Sequence, residues 1–276
     1  MNRKLIFLDI DGTLTEPGKN IPPQSALEAI NRARLAGHKV FLCTGRNYDM
    51  LKPLLQYDFD GLIASSGGYI EADDKVIYDH PMTETQKKKA MRILEENHVY
   101  RTVECKDGSY TDDGFKEFLR ENAGQGENSE LLRWREQIEA SLGIQSMKNY
   151  RDQPIYKIVM MGLSMEDMLK SKEELGEEFS FVLQETKGRN ICNGELIIPD
   201  YDKGQAIERI ASYYGQSMND TIGFGDSMND LEMIEMVGTS VCMENGSEEL
   251  KKKADYVCPS YDKDGLYLAF VKYNLL

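Results

Sequence analysis

The chain lacks several things that would place it in well-known functional classes. It has no excess of positive charge: 33 Lys and Arg stand against 47 Asp and Glu, a formal net charge of −14. Phosphate backbones are gripped by basic surfaces, so nucleic acid is not expected as a partner. It has no long apolar run at its N-terminal end, where Leu5-Ile6-Phe7-Leu8 stops at Asp9. A secretory h-region needs roughly 7–15 apolar residues and a spanning helix about 20. No membrane association is therefore expected, and a cytoplasmic location is. It also has no C-x-x-C pair. Cys43, Cys105, Cys192, Cys242 and Cys258 are scattered and odd in number, which points to free thiols in a reducing compartment. His38, His80 and His98 are too dispersed for a shared site, and the lone Trp134 reads as packing.

What is present is ordinary globular material, 41% apolar and 29% charged over 276 residues, enough for two domains. The first third alternates strand and helix patterns. Leu5–Leu8, Lys39–Leu42 and Gly61–Ala64 read as strands, with a helix from Pro22 to Ala36, a second over Tyr48–Gln56 that contains Pro53, and a hairpin over 69–78. The middle reads as mixed: helices over Thr83–Asn97, 114–142 and Met165–Leu175, and strands over Val99–Glu104, Ile155–Met161 and Phe179–Leu183. The last part alternates again from Glu195–Ile198 to a closing helix over Gly265–Tyr273. Alternation implies a parallel sheet with crossover helices. The expected fold is therefore an α/β domain with a Rossmann-like parallel core, built from residues 1–81 and 189–276 and interrupted by an inserted α+β domain over 82–188. Lys87-Lys88-Lys89 reads as a solvated helix face, and Lys251-Lys252-Lys253 suits a helix C-terminus.

Four clusters carry the chemistry. Asp9-Ile10-Asp11-Gly12-Thr13 directly follows the first strand, and ligands of open α/β sheets bind beyond the carboxyl ends of strands. Two carboxylates spaced i, i+2 repel each other, so a hard cation such as Mg2+ is a natural partner. One acid can then attack phosphorus while the other moves a proton. Gly223-Phe224-Gly225-Asp226-Ser227-Met228-Asn229-Asp230 follows another strand and offers Asp226, Asn229 and Asp230 as metal ligands or orienting groups. Thr44-Gly45-Arg46 follows a third strand, where a hydroxyl, backbone N–H groups and a guanidinium suit an anion. Lys203 sits at a helix start, an unfavourable place for a cation unless an anion lies opposite.

These four clusters, in this order, resemble the four motifs of the haloacid dehalogenase superfamily. The interval from Arg46 to Lys203, 203 − 46 = 157 residues, resembles the Cof-type branch, which carries an α/β cap between the second and third motifs. The resemblance implies a phosphatase acting on a small phosphorylated metabolite. Asp9 would form an aspartyl-phosphate, and Asp11 would act as acid and then base. Thr44 would bind the phosphoryl group, and Lys203 would hold that group and Asp9 together. It implies Mg2+ held by Asp9, the Asp11 carbonyl and Asp226, with Asn229 or Asp230 in support. Gly12, Gly45, Arg46, Ser66 and Gly67 are the implied phosphate or substrate contacts. The branch often shows Asn-Gly-Ala after the third core strand; Ser66-Gly67-Gly68 keeps the turn-forming glycine and lacks the asparagine. A phosphomutase of the phosphomannomutase type and a non-catalytic phosphometabolite sensor are the alternatives. The expected partner is a small phosphate ester, and the expected state a monomer or homodimer.

Overall fold

In the computed structural model, residues 3–115, 117, 144–162, 164–185 and 192–276 are described. The chain divides into two compact units. The first comprises Met1–Arg46, Leu51–Asp79 and Tyr201–Leu276; the second comprises Asn47–Met50 and His80–Asp200.

The first unit is built on one eight-stranded sheet. Its strands are β1 (Leu5–Leu8), β2 (Lys39–Cys43), β3 (Gly61–Ala64), β4 (Tyr69–Ala72), β5 (Lys75–Asp79), β12 (Thr221–Gly225), β13 (Thr239–Met243) and β14 (Tyr256–Cys258). They lie in the order β14-β13-β12-β1-β2-β3-β4-β5. Pairing is parallel from β14 through β3 and antiparallel in the β3-β4-β5 meander. Strands buried on both faces read as continuous apolar runs, and every side chain of β1 is buried. On one face Leu5, Phe7, Phe41 and Ile63 pack against Ala206, Ile207 and Ile210 of the helix Lys203–Tyr213. The Phe7 and Phe41 rings stack at 5.2 Å. The helices Gln24–Leu35 and Gly265–Lys272 also bury their small and apolar positions, among them Ala26, Ala29, Ile30, Ala269 and Phe270.

The chain leaves β1 in one direction across the sheet, to β2 and β3, and returns on its other side as β12 and β13. That reversal is a topological switch point, and the crevice at the carboxyl ends of β1 and β12 is where such sheets bind ligands.

The second unit holds a six-stranded sheet of β6 (Tyr100–Cys105), β7 (Gly108–Thr111), β8 (Ile144–Ser146), β9 (Ile155–Gly162), β10 (Ser180–Glu185) and β11 (Cys192–Ile197), in the order β10-β11-β9-β6-β7-β8. Helix Glu84–Glu96 begins with a reciprocal capping box between Thr83 and Gln86, and packs on β6, while Met165–Leu175 packs on β9.

Two sequence expectations are corrected. The strand near residue 195 pairs antiparallel with β9 and β10. It therefore belongs to the second sheet, and the division falls after Asp200 rather than at 188/189. The helix expected over 48–56 ends at Leu51, and a 3-10 turn over Leu55–Tyr57 follows Pro53, because proline removes a helix hydrogen bond and clashes with the preceding turn. β7, β8 and β14 are short strands that their sequences do not announce. The rest of the expected 114–142 helix, with Trp134, lies outside the described residues.

Candidate active site

Asp9 continues the ladder of β1 by one bond, its N–H donating to the Phe224 carbonyl of β12 at 3.0 Å. The chain then folds tightly: the Ile10 carbonyl accepts from Leu14 N at 3.0 Å and Thr15 N at 2.9 Å. Gly12 makes that turn at φ +86°, and a Cβ there would lie 2.3 Å from Asp226 Oδ2. The position thus needs glycine for its conformation and for the close approach of the two loops.

The first and fourth clusters meet through Lys203. Its ammonium, 1% exposed, donates to Asp9 Oδ1 at 2.8 Å and to Asp230 Oδ1 at 2.5 Å. The adjacent Asp202 caps the helix by accepting from Gln205 N at 2.7 Å, so Lys203 is delivered by the first turn of that helix. Asp230 spends its other oxygen on the N–H groups of Asp226, at 3.0 Å, and Ser227, at 3.2 Å. It therefore holds the Asp226 loop to Lys203. Asn229 accepts the Ser227 hydroxyl at 2.6 Å and serves the loop itself.

Charge is crowded here. Burial, then Asp230, raises the Asp9 carboxyl to about 7 against the opposing pull of Lys203. Burial, then Asp9 and Asp230, raises Asp226 well above the usual carboxylate range. Burial disfavours the Lys203 ammonium, but Asp230 and Asp9 outweigh it and hold its pKa well above the ordinary value.

Oxygen atoms of Asp9, Asp226 and Asp230 lie within 4.8 Å of one another. Asp226 Oδ1 is buried with no hydrogen-bond partner. Three carboxylates about one ammonium, with an orphaned oxygen, fit a hard cation. Both Asp230 oxygens accept hydrogen bonds, as Asp9 Oδ1 does, whereas Asp226 Oδ1 accepts none; oxygens of all three lie close enough to meet one cation.

The second cluster is placed beside the first. Thr44 is 1% exposed, and its hydroxyl accepts from Arg46 N at 3.1 Å. Its carbonyl accepts from Ser66 N at 3.0 Å, and the Arg46 carbonyl accepts from Ser65 N at 2.7 Å. The Thr44-Gly45-Arg46 loop is thereby tied to the turn after β3. That turn takes Ser65 and Ser66 through left-handed conformations at φ 50° and 57°, unusual for non-glycine residues and concentrated at functional sites. Gly67 permits contact with the Asp202 carbonyl, 2.5 Å from where its Cβ would be.

Arg46, expected as a phosphate contact, has Asp11 as its partner in the structure. Its guanidinium is 1% exposed and grips Asp11: Nε donates to Oδ2 at 2.8 Å and an Nη to Oδ1 at 2.7 Å. It also reaches Asn20 Oδ1 at 2.6 Å and the Lys19 carbonyl at 3.1 Å. The carboxylate of Asp11 matches that fork bidentately.

Sequence reasoning missed Asn245. Its amide donates to the Gly12 carbonyl at 2.8 Å and accepts from Tyr261 N at 3.4 Å. Two residues on, Ser247 N donates to the Asp226 carbonyl at 2.8 Å. The available signal was position: Asn245-Gly246 follows β13, the next parallel strand along the same sheet edge.

The sequence profile of the haloacid dehalogenase-like hydrolases matches residues 6–270. A 5-amino-6-(5-phospho-D-ribitylamino)uracil phosphatase of Bacillus subtilis is 30% identical, the alignment covering 95% of each chain. A pyridoxal phosphate phosphatase of Escherichia coli is 24% identical over 96% of this chain and 97% of its own. The solved structure of BT1666 from Bacteroides thetaiotaomicron, a phosphatase of the haloalkanoate superfamily, superposes with a TM-score of 0.81 at 20% identity, covering 99% of this chain and 96% of that one. With its four clusters gathered at one sheet edge and its profile match running almost end to end, the chain belongs to the haloacid dehalogenase-like hydrolase family.

Proposed function

We propose that the chain is a Mg2+-dependent phosphatase of small phosphorylated metabolites and works through an aspartyl-phosphate on Asp9. One observation carries the reading: a buried carboxylate at the end of β1 touches a buried lysine and faces an unpartnered Asp226 oxygen. Asp9 and Asp226, with the Asp11 backbone carbonyl, are the groups that would hold the cation. The cation would supply charge neutralisation between the anionic carboxylate and the anionic phosphoryl group.

In the first step an Asp9 oxygen forms a bond to phosphorus as the ester P–O bond breaks. The departing oxygen takes a proton from Asp11. Lys203 holds Asp9 in place and neutralises charge on the transferring group, and the Thr44 hydroxyl donates to a phosphoryl oxygen. In the second step water gives its proton to Asp11, its oxygen bonds to phosphorus, and the Asp9–phosphorus bond breaks to release phosphate.

The inserted unit is assigned the selection of the organic part of the ester. The related phosphatases named for a ribitylamino-uracil phosphate and for pyridoxal phosphate support a phosphomonoester of that size. Five free, buried cysteines fit a cytoplasmic setting. Among the described residues, no helix is long and apolar enough to cross a membrane.

The test is phosphate release from a panel of metabolite phosphomonoesters with Mg2+, together with acid-quench trapping of phosphorylated Asp9. Release that chelation stops is the expected result. Isomerised ester without free phosphate, or no turnover of any ester, would overturn the reading.

A further inference from the structure

The grip of Arg46 on Asp11 goes further than one contact. The fork is planar, and both of its bonds to Asp11 are short. Such a pair fixes the plane of a carboxylate as well as its place. Four of the five guanidinium N–H groups have acceptors: two on Asp11, one on Lys19 and one on Asn20. Gly18 N adds a further bond to Asp11 Oδ1 at 2.7 Å. The segment carrying Gly18, Lys19 and Asn20 is itself anchored, because Thr15 Oγ1 contacts the Lys19 carbonyl at 3.2 Å and Lys19 N donates to the Glu16 carbonyl at 3.0 Å. Asp11 thus sits in a frame: a guanidinium on one side, a backbone amide on another, and a loop locking both.

From this geometry we propose that Arg46, with Asn20 behind it, is the positioning residue that aims the Asp11 carboxyl at the leaving group. This rests on the phosphatase reading for the role of Asp11, and on the structure alone for the frame. The consequence concerns one half of the reaction. Loss of aim slows proton delivery to the departing oxygen, which matters for a basic alkoxide and hardly at all for an acidic phenol. A residue that binds the phosphoryl group would affect all esters alike.

The experiment compares wild type, Arg46→Lys and Asn20→Ala on phosphate esters of graded leaving-group acidity, from 2,4-dinitrophenyl phosphate to an alkyl phosphate. It reads kcat/KM, which reports the steps through release of the leaving group. Arg46→Lys keeps the charge and loses the planar fork. The expected result is a loss of about 10²-fold on the alkyl ester and less than about threefold on the dinitrophenyl ester. Inhibition by inorganic phosphate should be unchanged, and Asn20→Ala should follow the same trend more weakly. Equal losses across the series, with weakened phosphate inhibition, would overturn the proposal and return Arg46 to phosphate binding. Crystal structures of the two variants give a readout independent of turnover: the Asp11 carboxylate should leave its present plane. An Asp11 unmoved in both would refute the frame, even if wild type released phosphate from no ester. Should Arg46→Lys not fold, Asn20→Ala carries both readouts.

Discussion

Each of the two units buries a lysine among carboxylates, and the two clusters are built on opposite principles. In the first unit Lys203 stands among Asp9, Asp226 and Asp230 at strand ends, where loops bring the acids together. In the second, Lys157 stands mid-strand on β9, 2.6 Å from Glu195 and 3.4 Å from Glu104. Glu104 is its direct cross-strand partner on β6. Glu195, on β11, faces Val159 of β9 and so lies one diagonal step from Lys157, within reach of long side chains. The strand-end cluster crowds three acids around one base on loops beyond the strand ends. The mid-strand cluster is laid out by register, so slipping a strand by one residue would move its charges to the opposite face. The first arrangement suits a charged ligand, and the second specifies a pairing.

The comparison can be broken most severely at Asp9, the proposed nucleophile. Asp9→Asn should cut phosphate release by at least about 10³-fold, since an amide is a poor nucleophile; a steady-state assay with Mg2+ near wild-type rate would sink the assignment. Lys157→Met tests the other side. It leaves two buried glutamates without their cation and should cost about 3–5 kcal/mol of stability in denaturant titration. Mg2+ should not restore that loss, and restoration would show that the second cluster also binds a cation.

Gly12→Ala should cost about 1–3 kcal/mol through its positive φ. It should also weaken Mg2+ binding, because the new Cβ meets Asp226 Oδ2; calorimetric Mg2+ affinity at the wild-type level would contradict the contact. The smallest effect is in pH. Asp9 and Asp226 have folded pKa values raised above their unfolded ones. The folded state therefore binds more protons, and their contribution is full below the unfolded value near 3.8 and lost as pH rises through about 7. Without divalent cation, the thermal midpoint should fall between pH 5 and about 8, and Mg2+ should raise it more at pH 8 than at pH 5. A Mg2+ effect equal at both pH values would refute the link.

The same contrast explains what could be read from the sequence. Asp9, Thr44 and Asp226 each follow an apolar strand and precede a turn, so local pattern located them. Lys203 was legible because a cation at a helix start needs an opposing anion. Arg46 was located, but its contact with Asp11 was not foreseen: residue type cannot say which of two anions, an incoming phosphate or the nearby Asp11, a guanidinium will meet. Asn245 carried no chemistry of its own, and only the sheet order brings it to Gly12. In the second unit, Gly108-Ser109-Tyr110-Thr111 lacks apolar alternation, and the lysine–glutamate cluster depends on pairings between segments far apart in sequence. The strand at Cys192–Ile197 shows the same limit. Its residues form a strand wherever they are placed, and only antiparallel pairing with β9 and β10 shows which sheet owns it.

The position of β1 between β2 and β12 also dictates an order of assembly. While the chain is being made, β1 has a neighbour on one side only until residues 221–225 appear, and Asp9 has neither Lys203 nor Asp226. The six strands of the second sheet lie within residues 100–197, so that sheet has all its partners first. Long-range pairing is slow to form, and the β1–β12 edge acquires Lys203, Asp226 and Asp230 only late in synthesis. A chain of the first 200 residues would contain every described strand segment of the second sheet, while the first unit would still lack Lys203 and two of its three acids, Asp226 and Asp230.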